Sequence, residues 1–135
     1  ERSRRKIEIN PVIFFAAINL ILKKISENEF KDIVVSTRLL GGKTSNPNKL
    51  RLDTVMGTFL DIWHTEDGDY SYHWEQRAQR GLINRWDNAP DTNTFSTFPD
   101  HFHSGSDAHV VESKLDPNPE KAIRTVLTFI RENLD

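Results

Sequence analysis

His101-Phe102-His103, preceded by Phe98-Pro99-Asp100, is the string with the most chemistry in this sequence. Alternate residues on an extended segment point to one side, so two imidazoles stand together there. Zinc usually takes three or four protein ligands, and His109 or Asp107 would have to complete such a set. There is no HExxH pattern. Imidazole titrates near neutral pH, so general acid–base work is the equal alternative. Upstream, Arg85-Trp86-Asp87-Asn88-Ala89-Pro90 ends a strand and opens a loop, where side chains converge on ligands. Its plain alternative is an Asp/Asn turn before proline. No P-loop, GxGxxG, GxSxG or EF-hand loop is present.

These residues must be positioned by a sheet. A helix is expected from Pro11 to Asn28, capped by Asn10 and apolar enough to be buried on more than one side. A strand follows at Ile33 to Leu40, then a loop through Gly41-Gly42 and Asn46-Pro47-Asn48. Leu50 to His64 reads as one long strand, with Leu50, Leu52, Thr54, Met56, Thr58, Leu60 and Ile62 on an apolar face and Gly57 at a bulge. Two further strands span 69–78 and 82–87. Glu66-Asp67-Gly68 and Gln79-Arg80-Gly81 suit three-residue turns closed by a left-handed glycine.

That register sets Ile62 opposite Tyr72, Leu60 opposite Trp74 and Trp74 opposite Trp86 on the apolar face. On the other face Asp61 meets His73, His73 meets Asp87 and Glu75 meets Arg85, with Arg77 one step along. Periodicity alone favours a solvated face of cross-strand ion pairs there. Residues 88–106 read as a long irregular segment, and 107–112 as a short last strand. A helix capped by Asp116 then carries the stripe Ile123, Val126, Leu127, Ile130 and Leu134. The expected architecture is one α+β domain over residues 1–135, with 1–9 a basic arm. It has an antiparallel meander of four or five strands, flanked by an N-terminal and a C-terminal helix on one face.

With 135 residues, no cysteine and a net charge of −2, the chain is long enough for one core without disulfides and is not coated in positive charge. The longest apolar stretch, Val12 to Leu22, is broken by Asn19, so neither a membrane span nor a signal peptide is expected. A cytoplasmic protein fits these features.

The Arg85–Pro90 hexapeptide, the spaced histidines at 101 and 103 and the strand Tyr70-Ser71-Tyr72-His73-Trp74 together resemble the TumE family of toxin components in prokaryotic toxin–antitoxin modules. The resemblance covers about residues 48–133. It departs from the family pattern at Asp91-Thr92 and Asp100, where that pattern carries histidines. It implies a growth-inhibiting toxin with a cognate antitoxin, usually of helix-turn-helix type, and RNA as target. The expected chemistry is a metal-independent ribonuclease with no cofactor. His73 serves as base, oriented by Asp87 or Asp61, His101 or His103 as acid, and Arg85 and Arg77 hold phosphate. Trp86 or Tyr72 stacks a base, and Asn88 joins the substrate-binding set. The alternatives are a metal-dependent hydrolase using His101, His103 and a carboxylate, and a non-enzymatic partner-binding module. A homodimer is left open.

Overall fold

The computed structural model describes residues 11–41, 48–90 and 95–135. The basic arm, the Asn10 cap, the loop at 42–47 and Asp91-Thr92 lie outside them. The elements are α1 (Pro11–Glu29), β1 (Val34–Leu40), β2 (Lys49–Thr54), β3 (Phe59–His64), β4 (Tyr70–Gln76), a single helical turn α2 (Arg77–Arg80), β5 (Leu82–Asp87), β6 (His101–Gly105), β7 (Val110–Glu112) and α3 (Pro119–Glu132). The strands form one antiparallel sheet in chain order, β1 to β7. The expected meander is there, but among the described residues it has seven strands rather than four or five.

Two of the additional strands come from segments read otherwise. Residues 50–64 are a hairpin, not one strand: β2 and β3 are joined by a tight turn at Val55–Gly57, with Met56 at φ 67 and Gly57 at φ 73. Leu50 pairs with Ile62 and Leu52 with Leu60. A three-residue turn keeps the parity of both arms, so the even-numbered face survives the fold-back and looks continuous in sequence. Within 88–106, the half containing the histidines is β6, paired along β5.

The first hairpin register holds, with Leu60 opposite Trp74, Asp61 opposite His73 and Ile62 opposite Tyr72. The second differs. The chain leaves β4 at Gln76 and spends Arg77–Arg80 on a helical turn, closed by Gly81 (φ 69), whose N–H donates to the Arg77 carbonyl at 3.0 Å. Gln76 is buried and donates to Asn84 Oδ1 at 2.9 Å, while Arg80 donates to Gln76 Oε1, which fixes the turn from below. The pairing therefore slides by two residues. Tyr72 faces Trp86, Trp74 faces Asn84, His73 faces Arg85, Ser71 faces Asp87 and Glu75 faces Ile83.

The even face carries the core. Leu50, Leu52, Leu60, Ile62, Tyr72, Trp74 and Trp86 are buried with Leu22 and Ile25 of α1 and Ile123, Val126, Leu127 and Ile130 of α3, so both helices lie on this face. Phe129 meets Trp74 and Trp86 edge-on, at ring-centre distances of 6.2 and 5.0 Å. The cap of α3 is Asn118 rather than Asp116. Asn118 Oδ1 accepts from the N–H of Glu120 and Lys121, Pro119 sits in the first turn, and Asp116 accepts from the Asn118 N–H. Such a cap contributes about 1 kcal/mol. The N-terminal helix is buried on one side only, with Ile13, Leu20 and Ile21 exposed. No helix among the described residues is long and apolar enough to cross a membrane.

Candidate functional site

The odd-numbered face of the sheet carries the polar chemistry, in two rows that run across the strands. One row is Asp61, His73, Arg85 and His103; the next is Trp63, Ser71, Asp87 and His101. The histidines of β6 therefore share a face with His73, as the period of two along a strand requires once β6 pairs with β5.

Asp87 is the hub. Its Oδ1 lies 3.0 Å from His101 Nε2 and accepts the Ala89 N–H at 3.0 Å. Its Oδ2 accepts from Arg85 Nε at 2.9 Å and lies 3.5 Å from His103 Nε2. Each imidazole is anchored at its far nitrogen. His101 Nδ1 donates to the Pro99 carbonyl at 2.8 Å, and His103 Nδ1 donates to the Asp107 carbonyl at 2.9 Å. The three residues are between 2 % and 8 % exposed. Their ligand-capable atoms lie within 4.8 Å of one another.

Asp107, which the sequence offered as a ligand, is occupied elsewhere: it takes Arg85 Nη1 at 2.7 Å and Arg77 Nη2 at 3.1 Å. Burial pushes its carboxyl up, but the Arg85 hydrogen bond and the charges of Arg85 and Arg77 outweigh that and hold it below the usual range. His109 is exposed, with Nδ1 on the Ser104 carbonyl.

The cluster lines a groove of about 540 Å³ together with Trp63, Tyr70, Ser71 and Pro90. A second groove of about 410 Å³ adjoins it, sharing Trp63 and Ser71 and containing His73, Arg77, Asp61 and Arg51. His73 belongs to this second groove. It is not beside Asp87; its Nε2 lies 3.1 Å from Glu75 Oε1, on its own strand. Asp61 is held by Arg51 (2.7 and 2.9 Å) and Lys49 (3.1 Å) rather than by His73.

Two residues expected to bind substrate have other places. Tyr72 and Trp86 are in the core under the helices, Tyr72 with its hydroxyl 2.6 Å from His64 Nε2, so no base can stack on either. Asn88 lines the groove and also ties the end of β5 to the neighbouring hairpin, accepting the Tyr70 N–H at 3.0 Å and donating to the Gly68 carbonyl at 2.9 Å. The aromatics that do face the groove are Trp63 and Tyr70. Strand parity points to Trp63, which shares the odd positions of Asp61 and His73. Tyr70 reaches the groove from the start of β4, and its hydroxyl donates to Asp100 at 2.8 Å. Burial, reinforced by that carboxylate, pushes the phenol far above its ordinary value.

Fold and site together define an α+β sheet protein with a buried histidine–carboxylate cluster at the floor of an open groove. The chain belongs to the toxin TumE family, whose model matches residues 20–134. A toxin of this kind implies a cognate antitoxin. No curated protein and no solved structure matches the chain.

Proposed function

We propose that this chain is the toxic partner of a toxin–antitoxin pair and that it cleaves RNA along the odd face of the sheet. The observation that supports this reading is the placement of Arg85 between two imidazoles. His73 stands across from it on one strand and His103 on the other. Neighbouring strands are about 4.8 Å apart, so the two histidines flank a span of roughly 10 Å, wide enough for a phosphate group on the guanidinium.

In this reading Arg85 holds the scissile phosphate, and Arg77 a phosphate further along the second groove. His73, paired to Glu75, takes the proton of the attacking 2′-hydroxyl as the new P–O bond forms. The bond from phosphorus to the leaving 5′-oxygen breaks in the same displacement, and that oxygen, on the side of the Asp87–His101–His103 cluster, takes up a proton from water in the open groove. Trp63, shared by both grooves, offers a face on which a base stacks. The net charge of −2 confines any RNA contact to such a local track.

The test pairs growth with chemistry. Expression without the antitoxin should slow growth, and the purified chain should shorten single-stranded RNA. Arg85→Ala and His73→Ala, checked by circular dichroism for an intact fold, should lose both effects. Intact RNA after incubation with a preparation that still arrests growth would overturn the ribonuclease reading.

A further inference from the structure

We propose that Asp87, His101 and His103 form a binding site for one divalent first-row transition-metal ion. The argument starts from the hydrogen positions. The Pro99 and Asp107 carbonyls can only accept, so Nδ1 of each histidine carries a hydrogen. A neutral imidazole in that tautomer has its lone pair on Nε2. Both Nε2 atoms face the Asp87 carboxylate, whose oxygens also only accept. In this tautomer three acceptor groups are turned toward one another, the arrangement that a cation among them relieves.

A proton on one ring serves that ring's contact with Asp87 alone, and protons on both rings come at a cost. They would place two cations with ring centres 4.8 Å apart in a buried setting already occupied by the Arg85 guanidinium. A single metal ion satisfies all three donors at once. The spacing agrees. Donors about 2.1 Å from a metal stand about 3.0 Å apart at a right angle and about 3.4 Å apart at the tetrahedral angle. The observed separations are 3.0 Å from Asp87 Oδ1 to His101 Nε2 and 3.5 Å from Asp87 Oδ2 to His103 Nε2, so each carboxylate oxygen stands at such a distance from one ring.

The surroundings are those of ligands held ready. A metal-bound histidine typically donates its other N–H to a carbonyl or carboxylate, as both do here. The Ala89 N–H and Arg85 Nε fix the carboxylate plane. Two histidines and one carboxylate on the wall of a groove leave coordination positions for water or a substrate oxygen, a donor set suited to Zn²⁺, Co²⁺, Fe²⁺ or Mn²⁺. A metal held here is the alternative to the metal-independent chemistry expected from the sequence. The site rests on the ribonuclease reading only for its use: a bound ion would supply the electrophile at the leaving oxygen.

The full chain, prepared without a histidine tag and stripped with chelator, is titrated with Co²⁺ and with Zn²⁺ by calorimetry, and the Co²⁺ spectrum is recorded. One ion per chain is expected, with a rise in thermal midpoint on loading. Asp87→Asn and His103→Gln should each weaken binding by at least about tenfold. His109→Gln, outside the cluster, should bind as the parent does. Because Asp87 and His103 are buried, each variant is compared with the parent by circular dichroism. The Co²⁺ spectrum of the unmodified chain reads nitrogen and oxygen ligation without any substitution. No binding by the unmodified chain, or binding unchanged in well-folded Asp87→Asn and His103→Gln, overturns the site. RNA cleavage that persists in a metal-free preparation would remove the proposed use of the ion and leave the ribonuclease reading. A bound ion with intact RNA would do the reverse.

Discussion

Asp87 and His101 stand directly opposite each other across β5 and β6, with Oδ1 3.0 Å from Nε2. The carboxylate also serves Arg85, His103 and the Ala89 N–H, so one side chain organises polar groups of two strands and of the segment that follows β5. Asp87→Ala would leave a guanidinium and two buried imidazoles without their common partner. A loss of about 3–5 kcal/mol is expected in urea denaturation, as for other buried charge partners. A change under about 1 kcal/mol would mean that solvent or another carboxylate takes its place.

Trp74 and Trp86 are both buried, yet they are not opposite each other; Phe129 of α3 is what joins them. Truncating either tryptophan to Ala should cost about 3–5 kcal/mol. Double-mutant cycles should show a coupling of about 0.5–1.5 kcal/mol between each tryptophan and Phe129. Equal or larger coupling between Trp74 and Trp86 themselves would contradict the observed register.

His64 gives a pH-dependent term. Burial lowers its pKa from 6.5 to about 4, and its Nε2 shares a hydrogen bond with the Tyr72 hydroxyl at 2.6 Å. The unfolded chain therefore binds a proton at this ring before the folded chain does. The sign follows: this contribution is intact above about pH 6.5 and is lost as pH falls toward 4. The gap corresponds to roughly 3 kcal/mol. His64→Gln, which keeps an acceptor for Tyr72, should flatten the parent's decline in urea midpoint between those pH values. An identical decline in both proteins would assign the loss to the carboxylates.

Met56 adopts φ 67 in the turn between β2 and β3 while the residue is 72 % exposed. A left-handed conformation costs a non-glycine residue about 1 kcal/mol, and no buried contact compensates it here. Met56→Gly should leave stability unchanged or raise it by up to about 1 kcal/mol in thermal or urea unfolding. The neighbouring Gly57, at φ 73 and with Gln79 Nε2 3.1 Å from where a Cβ would stand, should lose about 1–2 kcal/mol as Gly57→Ala.

The two faces of the sheet were determined by the sequence alone. Side chains alternate along a strand, and both the Val55–Gly57 turn and the Glu66-Asp67-Gly68 turn have an odd number of residues. Leu50, Leu60, Ile62, Tyr72, Trp74 and Trp86 therefore fall together, and His73, Arg85 and Asp87 fall together on the other side. The same regularity hides what alternation cannot register. A hairpin folded inside residues 50–64 preserves parity, and so does a slide of two residues between β4 and β5. Apolar patterning is blind to both. Only tertiary structure, through the buried Gln76–Asn84 hydrogen bond and the helical turn at Arg77–Arg80, set His73 across from Arg85. The pairing of β6 with β5 then gave Asp87 to His101 and His103, because a carboxylate is shared by the strands beside it and not by residues that merely share its face.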